Sequence, residues 1–227
     1  MYTLYIANKN YSSWSLRAWL LMRERGIPFT EQLVVFGQLE SWQGFRRISP
    51  SGRVPCLIDG ETVVWDSLSI AEYLAEHHEG IWPSDALARA WARSAAAEMH
   101  SGFAALRSRC SMSCGIRVRL HSRSADLEQD IARLSALWSD GLERFGGPFL
   151  AGRSFTAVDA FFAPVAFRIR TYGLDIDAGS LAYAQRLLDL PAMRAWYADA
   201  LREKWRDEPH DSEVDQFGAV LEDLRAR

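Results

Sequence analysis

The chain has 227 residues and a mass of 25.7 kDa. Its 26 basic and 29 acidic residues give a formal net charge of −3, which excludes the broad positive surface typical of nucleic-acid-binding proteins. Hydrophobic residues make up 48% of the chain and aromatic residues 12%, a composition that excludes intrinsic disorder and is sufficient for one or two folded domains.

The first 80 residues alternate short apolar runs with helical stretches. Strands are predicted at 2–7, 29–35, 54–58 and 62–65, and helices at 14–25 and 67–77. The dipeptide Asp59-Gly60 between the last two strands is a strong hairpin signal. The resulting order, βαβ followed by ββα, predicts an α/β domain of the thioredoxin-like type over residues 1–80.

Beyond Trp82-Pro83-Ser84 the apolar periodicity is helical throughout. Helices are predicted at 85–106, 124–145, 157–172, 181–188 and 191–205. The sequence therefore predicts an all-α domain over residues 86–227. The acidic tail at 207–215 is interpreted as a solvated turn.

Cellular location and metal content are predicted from simple counts. Neither a signal peptide nor an apolar run long enough to span a membrane is recognisable, so a cytoplasmic protein without a membrane partner is expected. The three cysteines, Cys56, Cys110 and Cys114, cannot form a complete set of disulfides. Because no second cluster of Cys or His lies nearby, no metal site is expected.

Three serines, Ser12, Ser13 and Ser15, mark the junction between the first strand and the first helix. Serine is a favourable N-cap, which is sufficient to explain any one of them. The same position also suits an anion, because the first N–H groups of a helix are unpaired. A hydroxyl there can donate to a thiolate and lower the pKa of the thiol.

Two further segments extend this candidate site. Pro55 precedes a strand and would leave the backbone of Val54 free to pair with an extended peptide, although a simple strand-edge proline is an equal interpretation. Asp66 and Ser67 precede a helix, where Asp66 can receive an ammonium group and Ser67 a carboxylate. Together the segments would bind a ligand with a thiol, a peptide and a zwitterionic end.

The segments 11–17, 53–55 and 66–74 resemble the glutathione transferase superfamily, and most closely its serine-type zeta class. The resemblance covers the whole chain. It implies a thioredoxin-like domain that binds glutathione, a helical domain that contributes the pocket for a small electrophile, and a homodimer. The implied activity is attack of the glutathione thiol on that electrophile, with glutathione as co-substrate and no metal.

The resemblance also implies roles for individual residues. The zeta-like spacing to Arg17 places the catalytic hydroxyl on Ser12, which is the preferred assignment, and a delta-like spacing, one residue shorter, places it on Ser13. Val54 would pair its main chain with the cysteinyl unit of glutathione, and Pro55 would hold that turn as a cis-proline.

The remaining implied contacts concern the two ends of glutathione. Asp66 and Ser67 would hold the γ-glutamyl end, while Gln38 and Arg53 are weaker candidates, Arg53 for the glycyl carboxylate. Trp14 stands where the zeta pattern has a cysteine, which argues against cysteine redox chemistry and against maleylacetoacetate isomerase activity. A zeta-like isomerase and a non-catalytic binding protein on the same fold are the alternatives.

Two features of the helical half complete the expectations. Thr156 and Asp159 form a capping box that resembles the family's, and Asp159→Ala should cost about 1–2 kcal/mol of folding free energy. Arginines are frequent over 107–123. That basic run is either a solvated surface or part of a pocket for an acidic electrophile.

Overall fold

The computed structural model describes residues 1–36 and 46–226, so Gln38 lies outside the described residues. The first half contains β1 (Tyr2–Ile6), α1 (Ser13–Glu24), β2 (Phe29–Leu33), β3 (Cys56–Asp59), β4 (Thr62–Val64) and α2 (Ser67–His77). The strands form one sheet in the order β2-β1-β3-β4. β1 is parallel to β2 and antiparallel to β3, which confirms the predicted thioredoxin-like domain.

The second half is predominantly helical, as predicted. Its elements are α3 (Ala86–Ser101), α4 (Ala104–Arg109), β5 (Ile116–Leu120), α5 (Ala125–Phe145), α6 (Ala157–Tyr172), α7 (Ala178–Asp189), α8 (Pro191–Arg202), α9 (Glu208–Phe217) and β6 (Gly218–Asp223). Helix α6 is the centre of this half, because every residue of it except Arg170 is buried. It packs against α1, α3 and α7.

The structure adds a two-stranded antiparallel sheet, β5 with β6, to the domain predicted to be all-α. Ile116 and Val118 are buried and alternate with more exposed arginines, a period-two pattern that identifies β5 in retrospect. Its partner strand lies about a hundred residues further along the chain. The pairing is therefore non-local and is stabilised only in the folded chain.

Two local predictions in this half were wrong. The helix predicted at 85–106 is divided at Gly102 and Phe103, where Phe103 adopts a left-handed conformation with φ of 56°. The tail interpreted as a solvated turn is helix α9, whose N-cap Asp207 accepts a hydrogen bond from the backbone of His210. Its mostly polar composition gives little apolar periodicity, so its helical state depends on contacts with the rest of the molecule.

The loop between β1 and α1 is fixed to the helical half. The backbone N–H groups of Lys9 and Asn10 donate to the carboxylate of Glu203, at 2.6 and 3.2 Å. The indole N–H of Trp196 donates to the Lys9 carbonyl at 2.9 Å. These buried hydrogen bonds hold the segment that leads into the three serines.

The predicted capping box at the start of α6 is confirmed. The Asp159 carboxylate accepts hydrogen bonds from the backbone of Thr156 and of Leu150 and from the hydroxyl of Tyr183. Asp159 is completely buried. It therefore connects the helix start to the preceding loop and to α7 as well as capping α6.

Candidate functional site

A cleft of about 1450 Å³ lies between the thioredoxin-like sheet and the helical half. Its walls come from the loop before α1, the turn before β3, the start of α2, the α3–α4 junction and α9. The residues predicted from the sequence that line it are Ser12, Ser13, Arg53, Val54, Pro55 and Asp66. The three segments singled out in the sequence thus converge on one cavity.

The two candidate hydroxyls differ in their hydrogen bonding. Ser12 is the N-cap of α1: its Oγ accepts from the backbone N–H of Ser15 and donates to the Ser15 hydroxyl, at 3.4 and 2.7 Å. Ser13 is the first residue of α1 and lines the cleft. Within the described part of the chain its hydroxyl has no hydrogen-bond partner. Of the two hydroxyls, that of Ser12 is thus already hydrogen-bonded and that of Ser13 is not.

The turn before β3 presents free backbone groups. The Val54–Pro55 peptide bond is cis, and both residues line the cleft. Among residues 1–36 and 46–226, the N–H and C=O of Val54 form no hydrogen bond with another residue. An extended peptide in the cleft could pair with them as a further strand.

At the start of α2, Asp66 and Ser67 have different environments. Asp66 lines the cleft, caps α2 through the N–H of Leu68, and lies 3.3 Å from His100. Burial lowers the pKa of His100 despite the nearby Asp66 carboxylate. Ser67 is only 1% exposed, and its hydroxyl has no hydrogen-bond partner among the described residues. A buried hydroxyl without a partner beside a helix N-terminus suits a carboxylate.

Sequence reasoning missed the part of the site contributed by α9. The ring of His210 stacks on Tyr11 and on Phe36, with both centroid distances 5.2 Å. His210 and Phe217 line the cleft. The signal available in the sequence was Asp207 three residues before His210, the spacing of a helix cap.

The described residues offer neither a metal-ligand cluster nor a membrane-spanning helix. Positions 1–36 and 46–226 contain no group of three or more His, Cys, Asp or Glu side chains arranged to hold a metal ion. Over that part of the chain, no helix is both long and apolar enough to cross a membrane. All three cysteines are free and buried.

Comparison with known protein families agrees with this architecture. The family described as glutathione S-transferase, N-terminal domain, matches residues 11–77, and the corresponding C-terminal domain matches residues 85–199. The chain therefore belongs to the glutathione S-transferase superfamily.

Individual relatives are distant. A probable maleylacetoacetate isomerase of Caenorhabditis elegans is 24% identical over 206 residues, or 86% of this chain and 92% of that protein. A dichloromethane dehalogenase of Methylorubrum extorquens is 41% identical over 61 residues, only 26% of this chain and 21% of that protein. Among solved structures, a glutathione transferase homolog from Burkholderia with bound glutathione has a TM-score of 0.65 and 21% identity, covering 88% of this chain and 97% of that one.

Proposed function

We propose that this protein is a glutathione transferase in which the hydroxyl of Ser13 stabilises the thiolate of bound glutathione. The observation that carries the proposal is the free hydroxyl of Ser13 at the N-terminus of α1, facing the cleft. Ser12 is the less favoured of the two candidates, because its hydroxyl is already bonded to Ser15. The solved Burkholderia homolog with bound glutathione supports glutathione as the ligand of this fold.

In this proposal glutathione lies along the sheet edge. Its cysteinyl main chain pairs with the free backbone of Val54, beside cis Pro55. The ammonium group of the γ-glutamyl unit is held by Asp66, and the carboxylate of that unit by the unpartnered hydroxyl of Ser67. Because Ser67 does not line the cleft, a small local opening accompanies binding.

The glycyl end extends toward the exposed Arg53. Gln38 is retained as a further candidate contact. A homodimer in the cytoplasm completes the proposal, and light scattering of the purified protein tests the dimer.

The chemistry requires stabilisation of negative charge on sulfur. The Ser13 hydroxyl donates a hydrogen bond to the thiolate, and the first N–H groups of α1 add a favourable dipole. Together they contribute about 1–3 kcal/mol, which lowers the thiol pKa by one or two units. The thiol proton leaves to solvent, and the sulfur forms a bond to the electrophilic carbon.

The test compares Ser13→Ala, Ser12→Ala and the double variant in conjugation of 1-chloro-2,4-dinitrobenzene. Ser13→Ala should lower kcat/KM by about 10- to 100-fold and raise the apparent thiol pKa in the pH–rate profile. Ser12→Ala should mainly lower the melting temperature, since it removes an N-cap. A Ser12→Ala enzyme with the larger loss of turnover would transfer the role to Ser12. Full activity in the double variant would disprove the serine mechanism.

The alternative of a glutathione-dependent isomerase is favoured by the alignment with the C. elegans relative, which spans 86% of this chain. Trp14 in the cleft argues against it, because it replaces the cysteine of the zeta pattern with a bulky ring. Turnover of maleylacetone without conjugation of chlorodinitrobenzene would establish the isomerase. Calorimetry that detects glutathione binding in the absence of either reaction would indicate a non-catalytic binding protein.

A further inference from the structure

Three arginines from different helices meet at the wall of the cleft beside Trp14. Arg107 at the end of α4 and Arg168 of α6 line the cleft, while Arg17 of α1 is buried behind it. The guanidinium carbons of Arg17 and Arg107 lie 4.3 and 4.4 Å from the centroid of the Trp14 ring. Because Trp14 directly follows Ser13, this cationic wall adjoins the proposed position of the thiolate.

None of the three arginines forms an ion pair with a carboxylate of the described residues. The hydrogen bonds of Arg107 and Arg168 go to backbone carbonyls, from Arg107 to His100 at 3.0 Å and from Arg168 Nε to Cys110 at 2.8 Å. The Nε and one Nη of Arg17 are buried and have no hydrogen-bond partner in the described part of the chain.

Two arginines elsewhere in the basic run are paired with carboxylates. Arg109 lies 3.3 Å from Asp126, and Arg123 is ion-paired with Glu128. Arg117 and Arg119 have no carboxylate partner among the described residues either, so what sets Arg107 and Arg168 apart is that they lack such a partner and also line the cleft.

Burial and the mutual repulsion of the three positive charges lower the pKa of Arg17 and of Arg168. Burial, and then repulsion by Arg107 and Arg168, lowers the pKa of Arg17 well below its usual range. Burial and repulsion by Arg107 lower the pKa of Arg168 to about 10. The acidic side chains that line the cleft, Asp66 and Glu213, lie beyond ion-pair distance from all three. Buried cations that repel one another are costly unless an anion accompanies them, so the wall is complementary to an anionic ligand.

The wall is held rigidly in place. Helix α6 anchors the loop after α4, since Thr171 and Tyr172 donate their hydroxyls to the carbonyls of Ser113 and Ser111, at 2.8 and 2.9 Å. The Nε bond of Arg168 to the same loop leaves both of its Nη groups without a hydrogen-bond partner among the described residues, and Arg168 lines the cleft although it is only 4% exposed. A fixed, planar pair of N–H donors matches the geometry of a carboxylate.

We propose that the electrophilic co-substrate carries a carboxylate, which Arg107 and Arg168 bind while the reactive carbon faces Ser13. The proposal rests on the transferase function and specifies the class of its second substrate. With an aryl chloride, the glutathione sulfur forms a bond to the ring carbon, chloride leaves with the electron pair of the broken C–Cl bond, and the thiol proton is released to solvent. The carboxylate takes no part in bond making and serves only to orient the ring.

The experiment uses a matched pair of electrophiles, 4-chloro-3,5-dinitrobenzoate and its methyl ester. After correction for their uncatalysed rates, the acid should have a kcat/KM at least ~10-fold higher than the ester, the discrimination expected from one charge-assisted pair. Arg107→Met and Arg168→Met should each reduce that preference, and Arg168→Lys should restore part of it. Arg123→Met, which removes an equal charge outside the cleft, is the matched control and should keep the preference.

Binding measurements separate this inference from the transferase proposal. Calorimetry with the two glutathione conjugates, carboxylate and ester, requires no turnover, and the carboxylate conjugate should bind ~10-fold more tightly to the unaltered protein. Equal affinities, or a preference that survives both methionine substitutions in correctly folded protein, would overturn the inference even if conjugation is fast. Arg168→Met could instead bind glutathione itself more weakly while the ratio of kcat/KM for the acid to that for the ester stays unchanged. That result would assign the arginines to glutathione binding and overturn the inference.

Discussion

Replacing Asp159 by alanine is predicted to destabilise the protein more than loss of a helix cap alone. The Asp159 carboxylate accepts hydrogen bonds from Leu150, Thr156 and Tyr183, at 3.0, 2.9 and 2.8 Å. Alanine would remove the acceptor of these three donors and of the Thr156 hydroxyl, which lies 3.4 Å from the same carboxylate, and each buried donor left unpaired costs about 1–3 kcal/mol. Because the site can relax in part, the expected loss is about 3–5 kcal/mol. The sequence-based expectation of about 1–2 kcal/mol counted only the cap.

Thermal unfolding followed by circular dichroism measures this loss. For a chain of this size it corresponds to a fall in Tm of roughly 6–20 °C. The control is Asp177→Ala, which removes an exposed N-cap that accepts a hydrogen bond from the backbone of Ser180 and should cost about 1 kcal/mol. If Asp159→Ala melts within a degree or two of Asp177→Ala, the reasoning from buried donors is wrong. Adding Tyr183→Phe removes one unpaired donor, so the double variant should lose less than the sum of the single variants.

Two further predictions follow from burial. Burial raises the pKa of Asp159 to about 6. Between about pH 4 and 6 the folded state therefore holds more protons than the unfolded state. Because of this difference, the stabilising contribution of Asp159 falls as the pH rises through that range. The free energy of unfolding of the unaltered protein should thus exceed that of Asp159→Ala by more at pH 5 than at pH 8, and the excess should be greater by roughly 1 kcal/mol. Urea titrations at the two pH values measure this difference. An equal difference at both pH values, or a larger one at pH 8, would contradict the prediction. All three cysteines are buried, and burial raises the pKa of Cys110 and of Cys114 to about 12. Ellman's reagent at pH 8 should therefore label the native protein far more slowly than the urea-unfolded chain, and rapid labelling of the native protein would show that the thiols are accessible.

The thioredoxin-like half was largely predictable from local signals. The hairpin at Asp59-Gly60 and the N-caps at Ser12 and Asp66 each depend on a few neighbouring residues, and the structure shows all of them. The capping box at Asp159 is equally local. Such features could be read from the chain because backbone geometry and short-range hydrogen bonding fix them before any distant contact forms.

The composition of the cleft could not be read in the same way. Ser12 and Ser13 both line the cleft, and which of their hydroxyls is free depends on the position of the Ser15 hydroxyl. The cationic wall brings together Arg107 and Arg168, which lie about sixty residues apart on separate helices. Arg107 differs from the other arginines of the basic run in lining the cleft, and only the folded chain shows this.

The sequence by itself determined the class of fold, the family and the segments that build the site, because these are expressed in local patterns of residue type and spacing. Tertiary structure alone decided the helical state of the tail, the pairing of β5 with β6, which of the two serine hydroxyls is already hydrogen-bonded, and which arginines line the cleft. Each of these depends on contacts between residues far apart in the chain. Their free energy arises only when burial brings the partners together, so no local pattern expresses them.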